Sequence, residues 1–139
     1  MLSMIASGGL LLLLDQWSKR MVQEYVRDQR VCWGPILRIR WVASRKEIYR
    51  HNGARAGLVL IWLAALVSVI ALHGSGGWFQ SEVALVGLGL ALGGAAGNLW
   101  DILRRRYVVD FIDLQWWPVF NLADVAIVTG LAVAFWRYN

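Results

Sequence analysis

Four apolar runs of bilayer length, at 2–22, 56–72, 83–103 and 119–136, constrain this chain more than any other feature. A helix needs about 20 residues, at about 1.5 Å each, to cross a hydrocarbon core of about 30 Å, and each run approaches that length when its flanks are counted. In 139 residues they leave room for a single domain, 1–139. With 58% hydrophobic and 17% charged residues, the chain is more apolar than a soluble domain of this size would be. The predicted fold class is membrane all-α, with four transmembrane helices. The first run lacks a basic leading segment. Asp15-Gln-Trp-Ser-Lys19 follows it where a signal peptide would have a small-residue cleavage site, so it is read as a retained helix.

The segments between the runs are polar and partly β-prone. In 35–42, Leu37, Ile39 and Trp41 alternate with Arg38 and Arg40, the period of two of a short strand with one wet face. Tyr107-Val-Val-Asp-Phe-Ile112 is a second β-prone run, and a small sheet lying on the membrane is expected. Trp17, Trp33, Trp41, Trp100, Trp116 and Trp117 fall at or beyond one set of helix ends, and Trp78 and Trp136 at the other, as in aromatic belts. The net charge of +5 is interleaved with the apolar runs, which points to membrane lipid headgroups and not to nucleic acid. Cys32 is the only cysteine, so an intrachain disulfide and a cysteine-based metal site are excluded. It is read as an ordinary thiol near the membrane surface.

Two carboxylates sit in very apolar company: Asp110 in Val108-Val-Asp-Phe-Ile112, and Asp124 in Phe120-Asn-Leu-Ala-Asp-Val125. A charge at the edge of a bilayer is expensive and is usually kept for function. Two such groups that converge can share one proton, the arrangement with which an aspartic protease activates water. Asn98 and Asp101 are three apart on one helix face, behind the small residues Gly93-Gly-Ala-Ala-Gly97 that permit close backbone approach. Asn121, three before Asp124, is a candidate helix cap. Asp15 and Lys19 form an i,i+4 pair, read mainly as a neutralising salt bridge and secondarily as support for the site.

Four segments in this order, Asp15-Gln-Trp-Ser-Lys19, Gly93-Gly-Ala-Ala-Gly-Asn-Leu-Trp-Asp101, Val108-Val-Asp-Phe-Ile-Asp113 and Trp117-Pro-Val-Phe-Asn-Leu-Ala-Asp124, resemble the bacterial lipoprotein signal peptidases, the signal peptidase II family. The resemblance spans essentially the whole chain. It implies a multi-pass enzyme of the bacterial cytoplasmic (inner) membrane. A small extracytoplasmic β-cradle would lie between helices 1 and 2, with the active site near that face. Such an aspartyl endopeptidase cleaves the signal peptide of a prolipoprotein before a diacylglyceryl-modified cysteine. Asp110 and Asp124 match the catalytic dyad; Asn98, Asp101 and Asn121 match polar residues around it; Asp15 and Lys19 match the first-helix motif. No metal or organic cofactor is implied. The implied partners are the lipid-modified prolipoprotein signal peptide and membrane lipid, with the enzyme a monomer.

The chain departs from the family pattern at two places. Ile102 stands where an Arg usually follows the third-helix Asp. His51-Asn-Gly-Ala-Arg-Ala-Gly57 stands for an Asn-x-Gly-Ala-Ala-Phe-Gly motif, so that His51 replaces the Asn and Arg55 an alanine. These changes leave the dyad untouched and bear on substrate positioning. Two rival readings follow, a non-catalytic lipoprotein-binding relative and a small proton or ion carrier. All Lys and Arg residues but Arg137 lie on or beside the side that carries the 23–55 and 104–118 segments. The positive-inside rule would place that side in the cytoplasm; the family resemblance places it outside.

Overall fold

The computed structural model describes residues 1–26, 31–33, 36–44 and 51–136. Pro35, where the expected first strand opened, and the 45–50 stretch lie outside the described residues, as do the side chains of Cys32 and Trp33. The elements run α1 (Leu2–Tyr25), β1 (Val31–Trp33), β2 (Leu37–Ser44), α2 (Asn52–Gly74), α3 (Glu82–Arg105), β3 (Val108–Asp113) and α4 (Leu122–Ala134).

The central helix is α3, and its glycines decide how closely its neighbours lie. A Cβ on Gly93 would come within 2.4 Å of the Gly8 carbonyl oxygen of α1, and one on Gly89 within 2.3 Å of that of Met4. On the opposite side, a Cβ on Gly87 would meet the Gly130 oxygen of α4 at 2.6 Å. These backbone-to-backbone contacts are how helices associate where burial of apolar side chains from water supplies no driving force. By contrast α2 is peripheral. Val69 is its only buried residue among those described, and the Trp62 indole N–H donates to the Leu92 carbonyl at 3.0 Å. Leu60, Ile61, Val67 and Ile70 are exposed on α2, as are Leu2, Ile5, Leu10 and Leu13 on α1. Apolar surface this continuous is the lipid-facing coat of an integral membrane protein.

By length and composition, α2 and α3 are apolar enough to cross a bilayer. α4 is shorter than expected, with 13 residues in place of 119–136. The cause is local. Asn121 caps the helix, its side chain accepting from Asp124 N–H at 3.0 Å while the Asp124 carboxylate accepts from Asn121 N–H at 3.1 Å. This reciprocal box starts the helix at Leu122. Phe120, just before it, bridges instead to Ile112 of β3.

The sheet also differs from the expected cradle between helices 1 and 2. It has three antiparallel strands in the order β1-β2-β3, and the third comes from between α3 and α4. In the β2–β3 register Val42 faces Asp110 and Ser44 faces Val108, with a bulge between Ile39 and Val42. β3 is almost wholly buried; it pairs with β2 on one side and, as an edge strand, bridges to Phe120 at Ile112 on the other. β2 does not alternate between wet and dry faces; all eight residues are half-buried. Arg40 forms an ion pair with Asp113 at 2.6 Å while its side chain stays 40% exposed.

Candidate active site

The sheet and the start of α4 bring the two apolar-flanked aspartates to one place. Asp110 lies in β3, between Val109 (0% exposed) and Phe111. Asp124 occupies the third position of α4, where the free N–H groups of a helix start favour a carboxylate. One residue joins them. The Asn121 side-chain amide donates to Asp110 Oδ1 at 2.8 Å, and its main-chain N–H donates to Asp124 Oδ2 at 3.1 Å. Asn98 closes the ring from α3: its amide donates to Asp124 Oδ1 at 2.9 Å, while its carbonyl accepts from the Asn121 amide at 3.0 Å. The second oxygen of Asp110 accepts from the Ser44 hydroxyl of β2. Among the described residues, the donors to this pair are neutral.

Beneath lies a second polar cluster, made of ions. Lys19 Nζ, 0% exposed, has three acceptors: Asp15 Oδ2 at 2.7 Å, Asp101 Oδ2 at 2.9 Å and Asn98 Oδ1 at 3.0 Å. These match the three donors of an ammonium group. Asp101 Oδ1 also pairs with Arg105 at 2.9 Å, so two cations face two carboxylates. The free oxygen of Asp15 accepts the Ala123 N–H at 3.1 Å and so locks α1 to the start of α4. Gly97 permits this, because a Cβ there would stand 2.5 Å from Asp15 Oδ2.

Burial pushes the Asp110 carboxyl above its ordinary range. The Ser44 hydroxyl opposes the rise, the charge of Asp124 adds to it, and Asn121 and Lys19 oppose it less strongly. Asp113, further along the same strand, is held below the usual range. The Gln115 N–H on its carboxylate is the largest lowering influence, followed by Arg40 and Arg38. Within one strand, then, one aspartate is disposed to keep a proton and the other to lose it.

A model of the family described as signal peptidase (SPase) II matches residues 8–138. The chain belongs to the signal peptidase II family. It is 41% identical to a lipoprotein signal peptidase of Moorella thermoacetica, across 92% of this chain and 87% of the relative. To a lipoprotein signal peptidase of Pelotomaculum thermopropionicum it is 39% identical, across 92% and 86%. Its fold is similar to that of a bacterial membrane enzyme solved by the in meso method at 1.9 Å resolution. There the TM-score is 0.77 at 20% identity, covering 96% of this chain and 90% of the other.

In this signal peptidase II, all seven residues singled out from the sequence lie in one continuous network. Asp110, Asp124, Asn98 and Asn121 form its upper part, and Asp15, Lys19 and Asp101 the lower. Lys19 does more than neutralise Asp15, since it joins both parts through Asn98. Three contributors escaped sequence reading. Ser44 lies 66 positions from Asp110, and only the β2–β3 pairing reveals it. Arg105 was visible in retrospect as the i,i+4 partner of Asp101. Gln16, inside the first-helix motif, donates to Asp15 Oδ2 and the Gly97 carbonyl at 3.2 Å and to Asp101 Oδ1 at 3.3 Å. Ile102, where the family usually has Arg, is buried with Val108 against Leu58, an apolar contact that an arginine would disrupt.

Proposed function

We propose that this signal peptidase hydrolyses the bond before a diacylglyceryl-modified cysteine of a prolipoprotein, with Asp110 and Asp124 as its catalytic dyad. The observation that carries the reading is the two hydrogen bonds that Asn121 donates, one to each carboxylate, which hold them as one unit. In the mechanism, one carboxylate accepts a proton from the attacking water while the other, protonated, donates to the scissile carbonyl; collapse of the tetrahedral intermediate exchanges their roles. The proton count belongs to the pair. Asn98 and Asn121 keep both side chains oriented toward the reacting bond. The substrate's apolar segment occupies a groove of about 310 Å3 between α2, α3 and α4, lined by Leu58, Ile61, Trp62, Leu92 and Ile102, with Asn98 on its wall. A dry groove with Asn98, the partner of Asp124, on its wall suits a lipid-anchored peptide.

All four helices cross the membrane in this reading. The charges Asp15 and Lys19 that make α1 less apolar are turned inward, each 0% exposed, and never meet lipid. The short α4 is extended at its start by the sheet-paired Phe120. The sheet and dyad face away from the cytoplasm of a bacterial inner membrane, and the enzyme acts as a monomer. Orientation is testable with Trp116→Cys, an exposed position, in a chain whose Cys32 is replaced: an impermeant thiol reagent should label it in intact spheroplasts. Labelling only after lysis would overturn the orientation. Function itself is tested by incubating purified protein with a diacylglyceryl-cysteine prepeptide in detergent. Cleavage before the lipidated cysteine is expected, and an inert wild-type protein would overturn the assignment.

A further inference from the structure

The sheet carries two arginines on the face turned away from the dyad. Residues paired across two strands share a face, and successive residues of one strand alternate. Val42 pairs with Asp110 and Arg38 with Asp113, so Arg38 and Asp113 stand on the face opposite to Asp110. Arg40 lies in the bulge between Ile39 and Val42, a device that re-aims a side chain, and it reaches the same Asp113. Arg38, Arg40, Asp113 and Gln115 together line a polar surface pocket of about 330 Å3.

That pocket is accessible and short of negative charge. Two guanidinium groups face one carboxylate, which leaves a positive charge in excess. Asp113 Oδ2 engages Nε of Arg40, and its Oδ1 is already occupied by the Gln115 N–H at 2.8 Å. The Arg40 side chain stays 40% exposed. Among the described residues, its Nη groups meet no acceptor and no carboxylate forms an ion pair with Arg38. Guanidinium forks with free N–H groups match the oxygens of a phosphate. Directly after Gln115 come Trp116 and Trp117, 73% and 57% exposed and in edge-to-face contact. Exposed tryptophans of this kind mark the level of the lipid headgroups in a membrane protein. The pocket thus adjoins the layer in which lipid phosphates lie.

We propose that Arg38 and Arg40 bind the phosphate of an anionic phospholipid from the surrounding bilayer, with Trp116 and Trp117 holding the sheet at headgroup depth beside it. This lipid is not the substrate of the proposed reaction. A diacylglyceryl-cysteine carries no phosphate, and the pocket and Asp110 lie on opposite faces of the sheet. The site also gives a local role to cations on the side that holds all Lys and Arg residues but Arg137. Charges that hold a lipid headgroup need not report which side is cytoplasmic. The inference goes beyond the peptidase reading and does not rest on it.

The full chain, purified in neutral detergent, is titrated with short-chain phosphatidylglycerol. Melting temperature reports binding, because a ligand of the folded state raises it. Phosphatidylglycerol should raise it by about 3 °C or more, and phosphatidylcholine or inorganic phosphate at equal concentration should not. Arg38→Gln keeps the Arg40–Asp113 pair intact and should raise the half-saturating lipid concentration by about fivefold or more. Adding Arg40→Gln should abolish the shift. Arg104→Gln removes an equal, exposed charge outside the pocket and should change the response by less than about twofold. Melting without lipid checks that each variant folds; if the double variant does not, Arg38→Gln alone decides. An equal response to phosphatidylcholine would overturn the proposal, and so would an equal response to inorganic phosphate, in favour of a free-phosphate site. An Arg104→Gln effect as large as that of Arg38→Gln would overturn it in favour of diffuse attraction. Cleavage of a lipidated prepeptide in detergent free of phospholipid should be unaffected by Arg38→Gln. A raised KM there would overturn it in favour of an acidic stretch of the substrate. An inert wild type that still shows the Arg38-dependent shift would refute the peptidase reading and leave this one standing.

Discussion

Two pairs of aspartates, joined through Asn98, are treated in opposite ways; Asp15, Asp101 and Asp110 are buried and Asp124 is half-buried. Asp15 and Asp101 face Lys19 and Arg105, so each carboxylate meets a cation. Among the described residues, Asp110 and Asp124 receive a hydroxyl, two side-chain amides and one main-chain N–H. Neutral donors orient a carboxylate without cancelling its charge, so two such groups side by side favour sharing a proton. Cations cancel the charge and leave an inert, rigid cluster. Cationic partners among the described residues, together with the deeper burial of Asp15 and Asp101, separate the structural pair from the proposed catalytic one.

The largest effect tests that contrast directly. Asp110→Asn and Asp124→Asn should each reduce cleavage of a lipidated prepeptide on the order of a thousandfold, because an amide neither accepts the water's proton nor exchanges roles. The double variant should be no worse than either single one, since the carboxylates act as a unit. Substantial turnover in either would make the two clusters equivalent and end the comparison.

Next comes the ion cluster, where stability should change more than chemistry. Lys19→Met leaves two buried carboxylates facing one arginine. Breaking such a pair costs about 3–5 kcal/mol, a fall in melting temperature on the order of 10 °C. Asp15→Asn should lower stability and yield in the same direction and leave kcat of the surviving protein largely intact. A variant of normal stability with abolished turnover would move Asp15 into the catalytic pair.

A smaller effect has the opposite sign. The Asp110 carboxyl is raised by burial, so the folded state favours its protonated form. That contribution is fully present below the unfolded-state value and is lost as pH rises through the higher folded-state value. Asp110→Asn, inactive but free of this loss, should therefore melt at or above the wild-type temperature near neutral pH. The difference should shrink in acid. A destabilised Asp110→Asn at neutral pH would show that the ionised form is welcome in the fold.

The smallest effect belongs to Asp113, three positions along β3. Its lowered range means that stability is present above the unfolded-state value and is lost as pH falls through the folded one. Its ion pair with Arg40 is 40% exposed on the arginine side, so Asp113→Asn should lower the melting temperature only slightly. Turnover should be unchanged. A large loss of activity would extend the dyad's neighbourhood along the strand.

Much of this was legible in the sequence because it is local. Bilayer-length apolar runs place the helices, and α1, α2 and α3 lie within a few residues of the expected bounds. Three-residue spacing places Asn121 and Asp124 in one capping box. Yet the same local reading began α4 at 119, since hydropathy alone does not register that Phe120 pairs with Ile112. It did find both β-prone runs, 35–42 and 107–112, that pair as β2 and β3; the narrower cradle between helices 1 and 2 came with the resemblance, and the pairing itself is chosen by register and burial.

The sequence by itself, through cost in a membrane, spacing and family resemblance, singled out seven polar residues: Asp15, Lys19, Asn98, Asp101, Asp110, Asn121 and Asp124. Tertiary structure alone decided how they divide. Lys19 reaches Asn98 and Asp101 across about eighty positions of chain, and Ser44 reaches Asp110 across 66. Those contacts exist because the glycines of α3 let α1 and α4 approach within backbone contact, and because β3 pairs with β2. Charge neutralisation acts over a few ångströms, and distances of that size are set by packing rather than by position along the chain.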